Sequence, residues 1–258
     1  MSHNFGNYSR YYDLLYADKD YAGETAYIRS LISAHSRKPP ASLLELGCGT
    51  GIHALKLNAE AGLNVCGVDL SETMLQRARA RAVAMGVTED HVSFHEGNAC
   101  SFRINRKFDV VASLFHVVSY QTAEQRLNAL FETAATHLDK DGLFIFDFWY
   151  GPAVLSQGPS VRVKRLSDEH IAVTRLAEPV IRDAENVVDV NYDLFVLDHA
   201  TGVTTEVRET HEMRYLFLPE IDLLLSGHGF VRERTEEWMT GKRPSLDSWG
   251  VCVLARKR

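Results

Sequence analysis

From residue 42 to residue 148 the chain repeats one pattern: a short unbroken apolar run, then a stretch of helical period. The runs are Ser42–Leu46, Asn64–Val68, His91–His95, Phe108–Leu114 and Leu143–Phe148. Between them, Ala54, Leu57 and Ala61 share one helical face, stopped at Gly62. Met74, Leu75, Ala78 and Ala82 share another, with Ser71 placed to cap it and Met85-Gly86 ending it. A third helix is predicted over Ala123–Leu138, before a turn at Asp141-Gly142. Uninterrupted apolar strands joined by helices predict a parallel sheet buried on both faces. A helix over Ala22–His35 precedes this core and is ended by Lys38-Pro39-Pro40.

The texture changes after Gly151-Pro152. From Val161 to Leu218 apolar and polar residues alternate, as in Val187-Val188-Asp189-Val190-Asn191-Tyr192, with a turn at residues 198–202; this predicts three or four antiparallel strands. A helix opened by Pro219 runs through Leu225, and strands near Phe230–Glu237 and Trp249–Ala255 close the chain. The expected organisation is a helical N-terminal lid (1–40), a nucleotide-binding core (41–158), an antiparallel β insertion (159–218), and a helix with a hairpin completing the core sheet (219–258).

The richest stretch is Leu43-Leu44-Glu45-Leu46-Gly47-Cys48-Gly49-Thr50-Gly51, followed by a helix and by Val65-Cys66-Gly67-Val68-Asp69. A strand, a glycine turn, a helix and a second strand ending in an acid form a nucleotide-binding unit. Glycine lets the backbone turn sharply and approach a ligand, and Asp69 at the strand tip can accept both hydroxyls of a ribose. A dinucleotide site needs G-x-G-x-x-G, but its third position here is Ile52, and Glu45 sits two residues before the first glycine. A pyrophosphate has no use for that carboxylate, whereas a cationic ligand does. At LLELGCGTG the chain resembles the class I S-adenosylmethionine (SAM)-dependent methyltransferases.

Composition narrows the partners. The net charge is −6 over 258 residues, which argues against electrostatic binding of nucleic acid. Cys48, Cys66, Cys100 and Cys252 show neither a C-x-x-C pair nor metal spacing and read as free thiols of a reducing cytoplasm. His91 and His95 have a metal-like spacing but bracket a strand, so no metal is expected. No apolar run approaches the ~20 residues that span a bilayer, and the start at Met1-Ser2-His3 lacks a secretory pattern, so a cytoplasmic protein without membrane attachment is expected.

The resemblance implies an α/β fold, a doubly wound, mostly parallel seven-stranded sheet whose last strand is antiparallel, with the β insertion as an added layer. It also implies a cofactor, SAM, leaving as S-adenosylhomocysteine. Gly47, Gly49 and Gly51 would pass under its methionyl part, Glu45 would meet its ammonium, and Asp69 its ribose. Leu70 and Met74 would sandwich adenine, and Asn98, beside Ala99, would accept the adenine amine where the family usually carries an acid. Ser113 and Leu114 end the fourth strand at the ammonium and methyl. Tyr21, among the tyrosines of residues 5–21, would help to cover the cofactor.

Across nearly the whole chain the order of motifs resembles one subgroup, the N-methyltransferases of nucleotide-linked amino sugars. These motifs are Lys19-Asp20-Tyr21, the glycine loop, Leu70-Ser71-Glu72 with Met74-Leu75, Phe115 to Tyr120, the aromatic end Phe148-Trp149-Tyr150, and the insertion. The subgroup carries an aromatic or histidine where Tyr120 falls and a tyrosine near the N-terminus that Tyr8 would match. The chain departs from it at Glu45, Asp69 and Asn98 by swaps of acid or amide, and His116 is not a subgroup residue. The catalytic candidates are therefore His116, Tyr120 and Tyr8. Phe115, Trp149 and Tyr150 would contact the acceptor, as would Arg214 and Tyr215 of the insertion. The expected acceptor is a small molecule, an amine on a nucleotide-linked sugar, with a sugar hydroxyl or a free small amine as alternatives and a non-catalytic SAM-binding module as another. The exposed strand edges are compatible with a monomer or a homodimer.

Overall fold

Strands rich in leucine and valine, with no polar face to spare, have to be covered on both sides. In the computed structural model, which describes residues 11–258, β1 (Ser42–Leu46), β2 (Asn64–Asp69), β3 (Val92–Glu96), β4 (Phe108–Ser113) and β5 (Leu138–Tyr150) form a parallel sheet in the order β3-β2-β1-β4-β5. Before it come α1 (Tyr12–Leu15) and α2 (Tyr21–His35); within it lie α3 (Ile52–Ala61), α4 (Glu72–Ala84) and α5 (Glu124–Thr136). One apolar layer joins Ile28, Leu31 and Ile32 of α2 with Leu55, Leu57, Leu75 and Ala78. The opposite layer packs Leu127, Leu130 and Phe131 of α5 against Phe144, Phe146 and Phe148. The expected parallel core is therefore present, with helices on both faces.

Two features were not legible in the pattern. A short helix, α6 (Gly151–Gln157), follows β5 at once, with Pro152 in its first turn, where fixed φ and a missing N–H are harmless. β5 also starts earlier than expected, at Leu138, and passes through Asp141 in the left-handed region (φ 70°).

The insertion forms four antiparallel strands: β6 (Arg162–Ser167), β7 (Ile171–Arg182), β8 (Val187–Asp198) and β9 (Thr204–Leu216). Then follow α7 (Leu218–Gly227), β10 (Phe230–Glu237) and β11 (Gly250–Lys257), with β11 antiparallel to β5. The core order β3-β2-β1-β4-β5-β11-β10 is the expected seven strands. The insertion is not a detached layer, however: among the described residues the sheet has eleven strands. The reason is the length of β5, whose last two residues, Trp149 and Tyr150, pair with Tyr215 and Leu216 of β9 and hand the sheet on to the cap.

Residues 11–20 are wedged between core and cap. Tyr11, Tyr12 and Leu15 pack with Met74 of α4 and with Val173, Leu194, Val196 and Val207 of the cap. Asp13 is shared by Arg77 and Arg81 of α4 at 3.2 and 3.1 Å, and Lys164 of β6 binds Asp18 and the Leu15 carbonyl at 2.6 and 2.7 Å. The segment is thus anchored from both sides.

The glycine loop is where sterics are tightest. Gly51 has φ 73°, and a Cβ there would lie 2.6 Å from Phe94 and 2.8 Å from Ala78. Gly62 has a similar φ of 68° with nothing within 4 Å. Gly62→Ala should cost about 1 kcal/mol from backbone strain alone, and Gly51→Ala about 3 kcal/mol because overpacking is added. Urea unfolding of the two variants checks this, and equal losses would refute the steric account.

Candidate active site

The turn after β1 is built by backbone hydrogen bonds that only small residues allow. The Gly47 and Cys48 amides donate to the Val68 carbonyl at 2.7 and 2.9 Å, so the chain doubles back over β2. A Cβ on Gly47 would strike Val117 at 2.5 Å, whereas one on Gly49 would meet nothing, so the loop is backed by protein at Gly47 and has open space beside Gly49. At the tip of β2, Asp69 accepts the Gly49 amide at 2.8 Å and the Ser71 amide at 2.9 Å. These bonds fix the carboxylate against the glycine loop; burial raises its pKa and the backbone donors work against that rise.

Glu45, on β1 beneath the loop, is 1% exposed, and its Oε2 has no hydrogen-bond partner among the described residues. Burial, reinforced by the nearby Asp69 charge and opposed by Lys19, pushes its carboxyl up to about 8. A buried carboxylate oxygen without a partner is costly, and a cation would relieve it. Glu45 for an ammonium, Asp69 for two hydroxyls and the open glycine turn for a close backbone approach fit SAM.

Four residues outside the expected site, Lys19, Glu24, His53 and Trp238, form a linked cluster that reaches Glu45 through His53 and the Lys19 charge. Lys19 ion-pairs with Glu24 and lies 4.3 Å from the Tyr21 ring centroid and 4.4 Å from that of Phe115. Burial lowers its pKa to about 8. His53, in the first turn of α3, is 2.8 Å from Glu24 and 3.8 Å from Glu45, and burial holds it neutral, near 3. Trp238 Nε1 also donates to Glu24, at 3.3 Å. Lys19 stood in a quoted motif, but as a family mark rather than as a charge. Nothing in the spacing of Glu24 and His53 could have revealed them, because they meet only through helix packing.

At the end of β4, Ser113 and Leu114 are buried, and Ser113 Oγ donates to the Leu46 carbonyl at 3.3 Å, so only their backbone can face a ligand. Phe115 and His116 then adopt φ 61° and 63°, two successive non-glycine residues in the left-handed region. Such strain persists only where the surroundings enforce it, and it clusters at functional sites. Here Asp147 of β5, 1% exposed, enforces it: the His116 amide donates to its carboxylate at 3.1 and 3.2 Å, and His116 Nδ1 lies 2.7 Å from Oδ2. Asp147 is a functional residue that the sequence pattern hides, since it sits between phenylalanines in the apolar run of β5. Trp149 packs edge-on to His116, at 6.2 Å between centroids, and its amide donates to Ser119 at 3.0 Å. Tyr150 is half-buried beside the core layer.

Not every expected residue gathers here. Asn98 Oδ1 accepts the Cys100 amide at 2.9 Å, so it serves a turn, and one lone pair of that oxygen is left to accept from a ligand. Ala99 packs on the core layer beside it. Leu70 is exposed, while Met74 is buried against Tyr12 and Leu15, so the two are separated in environment. Arg214 is bound to Glu220 and to the Thr122 carbonyl, and Tyr215 is fully buried in the cap–core seam; both do structural work that the alternation of β9 could not distinguish from ligand contact. Tyr8 lies outside the described residues. Tyr120 bonds His211 of β9 at 2.9 Å, tying the turn Val117–Tyr120 to the cap.

A family model described as a methyltransferase domain matches residues 43–142. The dTDP-3-amino-3,6-dideoxy-alpha-D-glucopyranose N,N-dimethyltransferase of Streptomyces fradiae is 31% identical over 219 residues, covering 81% of this chain and 82% of that one. The chain belongs to the SAM-dependent methyltransferases. A second relative of this methyltransferase is the dTDP-3-amino-3,4,6-trideoxy-alpha-D-glucopyranose N,N-dimethyltransferase of Streptomyces venezuelae, 37% identical over 57% of this chain; the match spans 59% of that relative's length. Among solved structures, DesVI of S. venezuelae superposes with a TM-score of 0.80 at 25% identity, covering 97% and 98% of the two chains. A SAM-dependent methyltransferase from Clostridium acetobutylicum gives a TM-score of 0.82 at 23% identity, covering 98% of each chain. The second likeness shows the class I fold.

Near pH 7 the Glu45 carboxyl, pushed up to about 8, is mostly protonated in the free methyltransferase, and a bound ammonium favours its ionised form. SAM binding at pH 7 should therefore release a proton, and affinity should rise with pH and level off above about 8. Calorimetry in two buffers of different ionisation enthalpy reads this directly. The dependence should vanish in Glu45→Gln, and a buffer-independent enthalpy for the unmodified protein at pH 7 would refute it.

Proposed function

We propose that this methyltransferase transfers methyl groups from SAM to the amine of a nucleotide-linked amino sugar. The observation that carries the acceptor is the 31% identity to the S. fradiae N,N-dimethyltransferase over 81% of the chain, a match reaching far beyond the glycine-loop core. The DesVI likeness over nearly the full length supports the same reading.

Glu45 would take the methionyl ammonium on its unpartnered oxygen, and Asp69, fixed by two backbone amides, would take the ribose hydroxyls. When bound, SAM supplies an electrophilic methyl on a sulfonium. The chain's part is alignment and exclusion of water, which together account for much of the rate of such transfers. Phe115 and Trp149 line the carboxyl edge of β4 and β5, and Lys19 closes over Phe115 and Tyr21. The acceptor amine must be neutral to attack, and Tyr120 and His116 stand at that edge to orient it.

A second reading, O-methylation of a sugar hydroxyl, is favoured by one observation: the His116 imidazole stands beside the buried Asp147 carboxylate, Nδ1 2.7 Å from Oδ2 but outside hydrogen-bond geometry, and a rotation of the ring would make it the backed general base that an alcohol needs. The two readings separate in one experiment. The methyltransferase is incubated with isotopically labelled SAM and a dTDP-linked aminodeoxyhexose, its hydroxyl counterpart, or free amines, and products are weighed by mass spectrometry. The amino sugar alone should gain one or two methyls, and His116→Ala should slow that transfer less than about tenfold. Mass gain only on the hydroxyl sugar, with a loss of roughly a hundredfold or more in His116→Ala, would overturn the amine reading. Mass gain only on free amines would remove the nucleotide sugar.

A further inference from the structure

The inner face of the cap breaks its own pattern at one place. On β9, Val207, Met213 and Tyr215 point inward as buried apolar residues, and the same face carries Glu209 and His211 between them. Their side chains are 10% and 3% exposed. A buried polar pair where alternation asks for apolar residues lowers stability unless it is satisfied, and such local departures concentrate at functional sites.

Two contacts of this pair run in line. His211 Nδ1 lies 2.9 Å from the Tyr120 hydroxyl, and His211 Nε2 lies 3.3 Å from Glu209 Oε2. The carboxylate at Nε2 assigns the proton to that nitrogen and leaves Nδ1 as the acceptor of the Tyr120 O–H. Tyr120 closes the single helical turn Val117–Tyr120 that His116 opens, one turn from the strained pair at the carboxyl edge of β4, and its hydrogen bond leads from there into the cap. Burial, with Tyr192, Tyr16 and Glu209 adding to it, raises the Tyr120 pKa well above the ordinary phenol value, so the phenol passes a proton on rather than giving one up to solvent. Among the described residues, the other ionisable groups at this place are Tyr192 of β8, edge-on to His211 at 4.9 Å, Arg175 of β7, 5.0 Å over the Tyr192 ring, Tyr16, 6.0 Å under Arg175, and Arg162 of β6, whose charge acts on Tyr192.

We propose that Tyr120, His211 and Glu209 form a proton exit for the acceptor amine, an assignment that rests on the amine reading given above. The acceptor arrives as an ammonium. Its N–H proton goes to the Tyr120 oxygen while the Tyr120 proton goes to His211 Nδ1, and the imidazolium so formed is held by Glu209 at Nε2. The freed lone pair on nitrogen forms the new N–CH3 bond, and the electron pair of the broken C–S bond stays on sulfur. Tyr120 is the catalytic residue of this step, because it touches the acceptor. His211 and Glu209 act through it and are positioning residues.

The test is single-turnover methylation of the dTDP-linked amino sugar as a function of pH by the full-length protein and two variants. His211→Asn keeps an acceptor for the Tyr120 hydroxyl but cannot take up a proton; Glu209→Gln removes the countercharge. At pH 7 His211→Asn should be slower by roughly a hundredfold, near the low end of what general base catalysis contributes. The deficit should shrink about tenfold per pH unit until the amine is its own free base, with SAM affinity unchanged. Glu209→Gln should show the same pH-dependent gap on a smaller scale, and it decides the matter if the asparagine variant loses SAM binding. A deficit constant at every pH, or none, would overturn the exit while leaving amine methylation intact. An unmodified protein that methylates only hydroxyls would instead remove the amine reading and the exit with it.

Discussion

One carboxylate oxygen under the glycine loop sets the terms for the rest of the site. Moving the Glu45 carboxyl from its ordinary 4.5 to about 8 corresponds to a penalty of about 5 kcal/mol on the ionised form. Nothing in β1 requires an acid there, and a leucine would continue the apolar run of Leu43, Leu44 and Leu46. The protein instead surrounds the acid with Asp69, which worsens its position, and with Lys19, which only partly improves it. On the proposed function that free energy is held for the moment of binding, when an ammonium supplies the missing partner. His53 contributes no charge, because burial keeps it neutral, so the cleft stays short of one cation.

A second constraint acts at right angles to the first. β4 ends in two left-handed residues that no local preference would select, and β5 supplies the acid that holds them. The same strand carries Trp149, pairs with β11 along the core, and passes its last two residues to β9. Asp147 and Trp149 therefore couple the turn bearing His116 to the position of the cap. The bulky phenylalanines of β5, packed on Phe131 of α5 with centroids 5.2 to 5.4 Å away, give that strand the rigidity to serve as the reference for both.

The core was legible because its signals are local. Unbroken apolar runs, the caps and stops at Ser71 and Gly62, and the glycine spacing after Leu46 each determine structure within a few residues. The junction of core and cap was not legible, because the pairing of Trp149 with Tyr215 joins residues far apart and leaves no period in the sequence. The candidate site divides the same way. Glu45, the glycines and Asp69 meet through the one strand–turn–strand unit that the motif describes. Glu24 and His53 meet because two helices pack, and His211 reaches Tyr120 because a strand of the cap lies against a turn of the core. Asn98 adds a local tie of its own, its Oδ1 accepting the amide two residues on, which the sequence pattern did not separate from a ligand contact.

This division bears on how chemistry is distributed in the fold. Most residues that would hold the cofactor come from β1, β2, the loops after them and the end of β4, within the stretch matched by the family model, and Tyr21 joins them from α2. The groups that would meet the acceptor come from elements brought together at a seam: the turn after β4, the end of β5, residues 11–20 and the inner face of β7 to β9. A seam of this kind can change its acceptor by substitutions on the cap without disturbing the parallel sheet, since only two residues of β5 pair with β9. The cost is that the seam must be held by side chains rather than by backbone pairing. Asp13 with Arg77 and Arg81 on the core side, and Lys164 with Asp18 on the cap side, do this for the N-terminal segment. The Tyr120–His211 bond does it for the turn after β4, so a contact that closes the seam lies on the proposed path of the proton.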